Sequence, residues 1–234
     1  MRNKLTGLIL AGGLGTRLRP FTLSAPKILI PIRGRPFLDF QLELFARNNV
    51  KRLVLSTGYL GHKIEDYLES HDTHGIDVEV CHEKKLLGTG GAIINSLPLL
   101  PDEFFITYGD SYFLQPIESV YRAFKKSGKQ ALATVMLQHN GTSENNCAVK
   151  DGMVVRYEKG TAPGTFDYVE YGLLFFKKQA LLNYPRKRFS ADLILHNLIE
   201  KKQLAAFETS APYYEVGSKE GLVEFTRYLR RELT

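Results

Sequence analysis

The chain has 234 residues, 44% hydrophobic and 24% charged, which is typical of a globular protein with a substantial core. No apolar run approaches the roughly 20 residues of a membrane helix, and the N-terminus lacks the features of a signal peptide. The net charge of +6 and pI of about 9.2 favour solvated faces or a small anionic substrate over nucleic acid, because the basic residues are dispersed. Cys81 and Cys147 form no metal-binding or disulfide pattern, so we expect a cytoplasmic protein.

The first 140 residues alternate between strand-like and helix-like segments. Five strands are predicted, at 5–11, 50–58, 76–83, 103–110 and 131–138. Four helices are predicted between them, at 36–50, 61–71, 89–100 and 116–128. Because such alternation implies right-handed crossovers, we expect an α/β fold with a Rossmann-like, doubly wound, mostly parallel sheet that is covered on both faces.

The second half has a different pattern. We predict a hairpin turning at Asp151-Gly152, a strand over 167–178, a helix with Ser190 as its N-cap, and a short strand, turn and final helix over 211–233. These mixed strands are expected to extend the sheet or to cover its ligand face. We therefore treat residues 1–234 as a single domain with a core over 1–140 and a second part over 141–234.

A glycine-rich, basic loop follows the first strand, in the stretch LILAGGLGTRLRPFT over 8–22. Glycines let backbone N–H groups approach phosphate oxygens, and arginines add charge-assisted bonds. A Walker loop would place Gly-Lys-Ser/Thr where this chain has Gly15-Thr16-Arg17. A dinucleotide-binding loop would have its third glycine at Leu18. On the glycines alone, a tight turn with surface arginines is an equal alternative.

A longer pattern does match. LAGGLGTRLRP followed by PKILIPI resembles the signature of the sugar-phosphate nucleotidylyltransferases, which join a nucleoside triphosphate to a sugar 1-phosphate and release pyrophosphate. Further matches cover nearly the whole chain: LGTGGAI at 87–93, YGDSY at 108–112, YEKG at 157–160 and YYEVGS at 213–218. The resemblance implies a glycosyltransferase-A-like nucleotidyltransferase fold. The length is most similar to compact bacterial heptose 1-phosphate guanylyltransferases and N-acetylmuramate 1-phosphate uridylyltransferases.

The resemblance implies three catalytic residues and a Mg²⁺ cofactor. Arg17 would hold the β- and γ-phosphates, and Lys27 would bridge the α-phosphate and the sugar phosphate. Asp110, at the end of a predicted strand, would bind the metal, because Mg²⁺ prefers carboxylate and phosphate oxygens together. Glu215 is expected as a second metal ligand, although relatives often carry aspartate there. With the longer glutamate, either the backbone adjusts, or a water intervenes, or the metal is held mainly by Asp110 and phosphate. Ile28 also departs from the family, which usually has proline.

The resemblance also implies residues that contact each substrate. Contacts to the nucleotide are expected from the first loop, the loop at 87–91 and the end of the fourth strand, at Leu10, Ala11, Gly12, Gly13, Gly15, Thr16, Gly88, Thr89, Gly90 and Gly109. Close helix-to-sheet packing is the alternative interpretation of the glycines in the 87–91 loop. The part over 141–234 would bind the sugar phosphate through Asn146, Glu158, Lys159 and Gly172; Glu158 and Lys159 are otherwise exposed hairpin residues, and Gly172 otherwise marks a bulge.

We expect a Mg²⁺-dependent transfer of a nucleoside monophosphate from a nucleoside triphosphate to a sugar 1-phosphate, in nucleotide-sugar biosynthesis for cell-surface polysaccharide. D-glycero-D-manno-heptose 1-phosphate with GTP is the first pair to test. N-acetylmuramate 1-phosphate with UTP is the alternative, and a non-sugar phosphate stays open. A nucleotide-sugar-binding regulatory protein without efficient catalysis is the hypothesis from another class. No nucleic acid or membrane partner is expected, and a homodimer is expected from the family.

Overall fold

The computed structural model describes residues 5–137 and 145–232. The predicted boundary between 140 and 141 and the ends of the segments predicted over 131–138 and 211–233 lie outside the described residues. The strands are β1 (Leu5–Leu10), β2 (Pro31–Ile32), β3 (Arg35–Pro36), β4 (Val50–Thr57), β5 (Asp77–His82), β6 (Glu103–Tyr108), β7 (Ser111–Phe113), β8 (Ala131–Leu137), β9 (Cys147–Lys150), β10 (Met153–Tyr157), β11 (Tyr168–Lys177), β12 (Leu204–Thr209) and β13 (Tyr213–Glu215). The α-helices are α1 (Phe37–Arg47), α2 (Gly61–Ser70), α3 (Gly88–Ser96), α4 (Ile117–Ser127), α5 (Asp192–Glu200) and α6 (Lys219–Glu232).

One large sheet contains nine of the described strands, in the order β5-β4-β1-β6-β11-β8-β12-β10-β9. The four strands at one side, β5, β4, β1 and β6, are mutually parallel, as the alternation with helices predicts. β12 is parallel to β8, whereas β11 is antiparallel to both β6 and β8. The expectation of an α/β fold with a mixed, mostly parallel central sheet is confirmed.

Of the strands from the second half of the chain, β12, β10 and β9 extend this sheet at one edge, as expected, whereas β11 lies inside it. β11 is inserted between β6 and β8, so the sheet is built from both halves. β12 was not predicted, because its sequence LAAFET contains two alanines and a glutamate, which are depleted in strands. The helix predicted from Ser190 begins at Asp192, with Ala191 at the N-cap position, so that prediction was wrong by one residue.

Two apolar clusters pack on opposite faces of the sheet. In β1, Ile9 belongs to one cluster and Leu8 to the other, since successive side chains of a strand point to opposite faces. Buried residues of α1, α2, α4 and α6 complete the first cluster, and those of α3 and α5 complete the second. Helices therefore cover both faces. Within the described part of the chain, no helix is long and apolar enough to cross a membrane.

The last helix fixes a short strand pair beside the main sheet. β13 pairs antiparallel with β7, which places Glu215 opposite Ser111. Phe225 of α6 is fully buried and packs edge-on against Phe37, with ring centroids 5.5 Å apart. Its ring also lies 5.8 Å from that of Tyr214 in β13. The helix thus ties β13 to the core, and β13 carries one of the predicted metal ligands.

Candidate active site

A cavity of about 680 Å³ opens beyond the carboxyl ends of β1 and β6. The two strands are parallel neighbours with Leu10 opposite Tyr108, so the loops that follow them leave the sheet side by side. Gly109 N–H donates to Leu10 O at 3.0 Å, and a Cβ at Gly109 would lie only 3.1 Å from that oxygen. This position is where ligands of parallel α/β sheets bind, and the volume is within the range of small-molecule sites.

The structure brings most of the predicted site residues to this cavity. From the nucleotide set, the lining residues are Leu10, Ala11, Gly12, Gly13, Gly88, Thr89 and Gly109. From the sugar set, they are Asn146, Lys159 and Gly172. The predicted catalytic and metal residues all line it: Arg17, Lys27, Asp110 and Glu215. Residues more than 200 positions apart in the chain therefore share one site.

Four predicted residues do not line the cavity. Gly15 and the exposed Thr16 form the turn behind the first loop, where Gly15 has a φ of 59° and its carbonyl accepts the Thr22 hydroxyl. Gly90 donates its N–H to Phe189 O at 3.0 Å, and a Cβ there would meet the Phe189 ring at 2.4 Å, so close packing explains this glycine. Glu158 points away and pairs with Arg156 at 2.8 Å.

Two carboxylates and two cations meet at the cavity wall, and we call Arg17, Lys27, Asp110 and Glu215 the charged quartet. Lys27 Nζ donates to Asp110 Oδ2, and Arg17 Nη2 lies 2.6 Å from Glu215 Oε1. Asp110 is only 8% exposed, whereas the Arg17 side chain is 58% exposed. Opposite charges therefore balance within the quartet before any substrate binds.

The backbone around the charged quartet holds the two carboxylates close together. Val216 N–H donates to Asp110 O at 2.7 Å, which ties β13 to the loop after β6. A Cβ at Gly217 would lie 2.6 Å from Asp110 Oδ2 and 2.6 Å from Glu215 Oε1, so only glycine leaves this space open. Glu215 does not cap α6, since Ser218 Oγ accepts the Gly221 N–H there.

Neighbouring side chains support the quartet. Lys27 lies in a 3-10 turn at Lys27–Leu29, in which Ile28 is buried, and its ammonium group lies in the site although Ile28 replaces the proline usual in the family. Gln41 is fully buried in α1, and its Nε2 donates to Ser111 O at 2.9 Å and to Tyr108 O at 3.3 Å. These carbonyls lie on either side of Asp110. Gln41 was not predicted as a site residue, because it lies on the apolar face of a predicted helix.

Glu83 links the first loop to the loop before α3. Its Oε2 accepts the Leu87 N–H at 2.8 Å, and its Oε1 accepts the Ser56 hydroxyl at 3.2 Å. A Cβ at Gly12 would lie 2.6 Å from the same Oε1, so Gly12 packs directly on this carboxylate. A buried acid with these partners positions both glycine-containing loops along the cavity.

Segment 187–191 covers the start of α3. Phe189 N–H donates to Leu87 O at 3.0 Å, and Ala191 N–H donates to Thr89 Oγ1 at 2.9 Å. These bonds bring Arg188 to the cavity wall, where it is exposed and makes no ion pair or hydrogen bond with any described residue. Arg188 was not predicted as a site residue, because nothing in the run Arg186 to Arg188 distinguishes one side chain from its basic neighbours.

Glu170 is a second site residue that was not predicted from the sequence. It is 9% exposed in β11 and lines the cavity. Its backbone N–H donates to Asn146 Oδ1 at 2.8 Å, which explains how Asn146 is held beside it. Burial raises the pKa of Glu170 to about 7. An acidic residue inside the otherwise apolar strand YVEYGLLFF, two positions before Gly172, is the signal that would have revealed it.

Comparison with known proteins identifies the family. The model of the nucleotidyl transferase family matches residues 6–232. The chain belongs to this family. It is 28% identical over 235 residues to the mannose-1-phosphate guanylyltransferase catalytic subunit beta of Xenopus tropicalis, covering 97% of this chain and 65% of that protein. It is 36% identical over 109 residues to the D-glycero-alpha-D-manno-heptose 1-phosphate guanylyltransferase of Campylobacter jejuni, covering 47% of this chain and 49% of that one.

A solved structure of the family extends the similarity to the fold. The crystal structure of HddC from Yersinia pseudotuberculosis complexed with GMP-PN superposes with a TM-score of 0.81 at 26% identity. The match covers 96% of this chain and 99% of that one. The nucleotidyltransferase fold expected from the sequence is therefore confirmed. The chain spans less than two thirds of the Xenopus relative, at 65% of its length.

Proposed function

We propose that this chain transfers GMP from GTP to a sugar 1-phosphate, giving a GDP-sugar and pyrophosphate. D-glycero-D-manno-heptose 1-phosphate is the proposed acceptor. The choice of guanine is supported by the names of the Xenopus and Campylobacter relatives, which are both guanylyltransferases. The heptose is supported by the Campylobacter relative alone, over about half of this chain.

The observation that carries the proposal is the charged quartet at the cavity wall. Transfer requires an oxygen of the sugar phosphate to attack the α-phosphorus of GTP while pyrophosphate leaves. Both reactants are anions, so the chain must neutralise and align them rather than supply a nucleophile. We propose that Lys27 turns from Asp110 to the oxygens of the attacked and attacking phosphates, and that Arg17 turns from Glu215 to the leaving pyrophosphate. The reaction then begins with an exchange of ion-pair partners.

The same exchange would free the two carboxylates for Mg²⁺. Among the described residues, no group of three or more His, Cys, Asp or Glu side chains is arranged as a complete metal centre. The oxygens that meet next to Gly217 nevertheless fit Mg²⁺, which is usually held by one or two carboxylates together with substrate phosphates. We propose Asp110 and Glu215 as these ligands. Bound Mg²⁺ would neutralise phosphate charge at the α-phosphorus.

The remaining lining residues divide the cavity between two substrates. Gly12, Gly13, Gly88 and Thr89 lie along the side that Glu83 organises, and we propose that they contact the nucleotide. Asn146, Lys159 and Gly172 lie on the side of β11, and we propose that they contact the sugar phosphate. The Lys159 ammonium lies 3.0 Å from Asp192 Oδ1, within a side chain's reach of the cavity.

A substrate panel tests this proposal. Pyrophosphate release is measured with Mg²⁺ for GTP, UTP, CTP, ATP and dTTP, each against the heptose, mannose and N-acetylmuramate 1-phosphates and phosphocholine. We expect turnover with GTP and the heptose. Turnover of UTP with N-acetylmuramate 1-phosphate, or of CTP with phosphocholine, would contradict the proposed substrates. Tight binding of a GDP-sugar without turnover of any pair would favour a regulatory protein.

Variants connect that activity to the site. We expect Arg17→Ala and Asp110→Asn each to lower kcat by about 10²- to 10³-fold, the usual loss of one group that stabilises charge in the transition state. Arg19→Ala is the matched control for the first, since Arg19 lies two residues away and does not line the cavity. Asp77→Asn, at an exposed position of β5, is the control for the second. Near-normal turnover in both site variants would refute the assigned roles.

A further inference from the structure

Glu170 is held in a single orientation at the cavity wall. Its Oε1 accepts the Gly172 N–H at 2.7 Å, and its Oε2 accepts the Tyr108 hydroxyl at 3.5 Å. Its main chain is fixed by the bond from its N–H to Asn146 Oδ1. A carboxylate oxygen accepts two hydrogen bonds, so one further position remains on each oxygen. Glu170 thus has acceptor capacity left on both oxygens, and it lines the cavity together with Asn146 and Gly172.

The position of Glu158 makes Glu170 more significant. The family resemblance implies that Glu158 contacts the sugar phosphate, but the Glu158 side chain is 52% exposed and pairs with Arg156 outside the cavity. Its neighbour Lys159 does line the cavity. Among the described residues, Glu170 is therefore the carboxylate that lines the cavity on the β11 side.

The surroundings of Glu170 keep it close to its titration point at neutral pH. Burial raises the pKa of Glu170 to about 7, and the hydrogen bond from the Gly172 N–H acts in the opposite direction. Lys159 favours the charged form, and Asp192 disfavours it. The titratable groups that face it come from several packed elements: Tyr108, Cys147, Tyr157, Lys159 and Asp192. A ligand that donates hydrogen bonds to the carboxylate would stabilise its charged form further.

We propose that Glu170 determines specificity for the acceptor, its carboxylate accepting hydrogen bonds from two hydroxyls of a neutral sugar 1-phosphate. This inference rests on the proposed function and adds the substrate class. A buried carboxylate repels a sugar that carries its own carboxylate, so sugar acids such as N-acetylmuramate are poor acceptors. Neutral sugars, including heptoses and hexoses, are good ones. Gln in place of Glu170 would keep the shape but lose the charge and one acceptor group.

The test uses Glu170→Gln with GTP and the heptose or mannose 1-phosphate, whichever the wild-type chain turns over. We expect the KM for the sugar phosphate to rise about 10- to 100-fold, because a hydrogen bond to a charged group is replaced by a neutral contact. The KM for GTP should stay the same. Glu118→Gln, which removes an exposed charge paired with Arg122 on α4, is the matched control and should change neither value.

The pH dependence of kcat/KM distinguishes binding of the sugar by Glu170 from a purely structural role. For the wild-type chain, kcat/KM for the sugar phosphate should fall as pH drops below about 7, since only the ionised carboxylate accepts both hydroxyls. Glu170→Gln should lose this step, and what remains in its profile belongs to the substrate phosphate. In the wild-type chain, kcat/KM should also fall for monodeoxy analogues of the acceptor that lack a hydroxyl contacting Glu170.

The outcomes separate this inference from the proposed function. Failure of the wild-type chain to turn over any sugar 1-phosphate would refute the function itself. Normal turnover with an unchanged sugar KM and pH profile in Glu170→Gln would refute the role of Glu170 alone. A larger effect in Glu158→Gln than in Glu170→Gln would also refute it. Should Glu170→Gln fail to fold, equal turnover of every monodeoxy analogue by the wild-type chain would refute it.

Discussion

Replacing Gly217 with alanine tests the geometry of the charged quartet with one methyl group. The added Cβ would lie 2.6 Å from Asp110 Oδ2 and from Glu215 Oε1, and 2.9 Å from Arg17 Nη2. Ordinary contacts of a Cβ begin at 3.4 Å, so both carboxylate oxygens must move by about 0.8 Å. Displacements of this size at a reacting centre cost about 10²-fold in rate. Gly217 has no positive φ, so alanine adds no backbone strain there.

The assay combines turnover with thermal unfolding. We expect Gly217→Ala to lower kcat by about 10²-fold and to raise the Mg²⁺ concentration that gives half-maximal turnover. The melting temperature should change little. Alanine loses less chain entropy on folding than glycine does, and this gain in stability offsets part of the cost of the local clash. A folded variant with wild-type kcat and Mg²⁺ dependence would refute the placement of the reaction between Asp110 and Glu215.

Three further changes have defined outcomes. Arg188→Ala should raise the KM of at least one anionic substrate about 10-fold, since the charge-assisted bond from Arg188 to a substrate phosphate would be lost. Lys187 does not line the cavity, so Lys187→Ala should leave both KM values unchanged in the same assay. The raised pKa of Glu170 means that the folded chain binds a proton more readily than the unfolded chain, so the free energy of unfolding should fall as pH rises from 4.5 to about 7; urea titrations should find this slope weaker in Glu170→Gln. Phe225→Ala should lower the free energy of unfolding by about 3–5 kcal/mol in the same titrations, because it empties a fully buried position and releases Tyr214; a loss below about 1 kcal/mol would contradict that packing.

The parallel part of the fold was accessible from the sequence because each element there carries a strong local signal. β1 ends in the apolar run Leu8 to Leu10, β4 contains the apolar run Leu53 to Leu55, and α1 and α2 between the strands are amphipathic. The order of the strands in the sheet could not be predicted in the same way. Nothing local in β11 indicates that it inserts antiparallel between β6 and β8, and β12 has weak strand propensity, so tertiary packing decided both.

The site divides in a similar way. Arg17, Lys27 and Asp110 lie in motifs that resemble the family signature, so the resemblance predicted that they share one site. Gly90 shows the limit of such reasoning, because glycines that approach a ligand and glycines that pack against another segment look alike in a sequence. Glu170 and Arg188 belong to no motif. Their importance depends on where β11 and segment 187–191 lie relative to the cavity, which only the folded chain reveals.

The most direct test of the central claim follows the α-phosphate of GTP. The chain is incubated with Mg²⁺, the heptose 1-phosphate and GTP labelled at the α-phosphorus, and the products are separated. Attack at the α-phosphorus predicts that all of the label appears in the GDP-sugar and that the pyrophosphate is unlabelled, with transfer by Asp110→Asn slower by about 10²- to 10³-fold. Label that stays in GTP or appears only as GMP, or equal transfer by Asp110→Asn, would contradict a guanylyl transfer at this site.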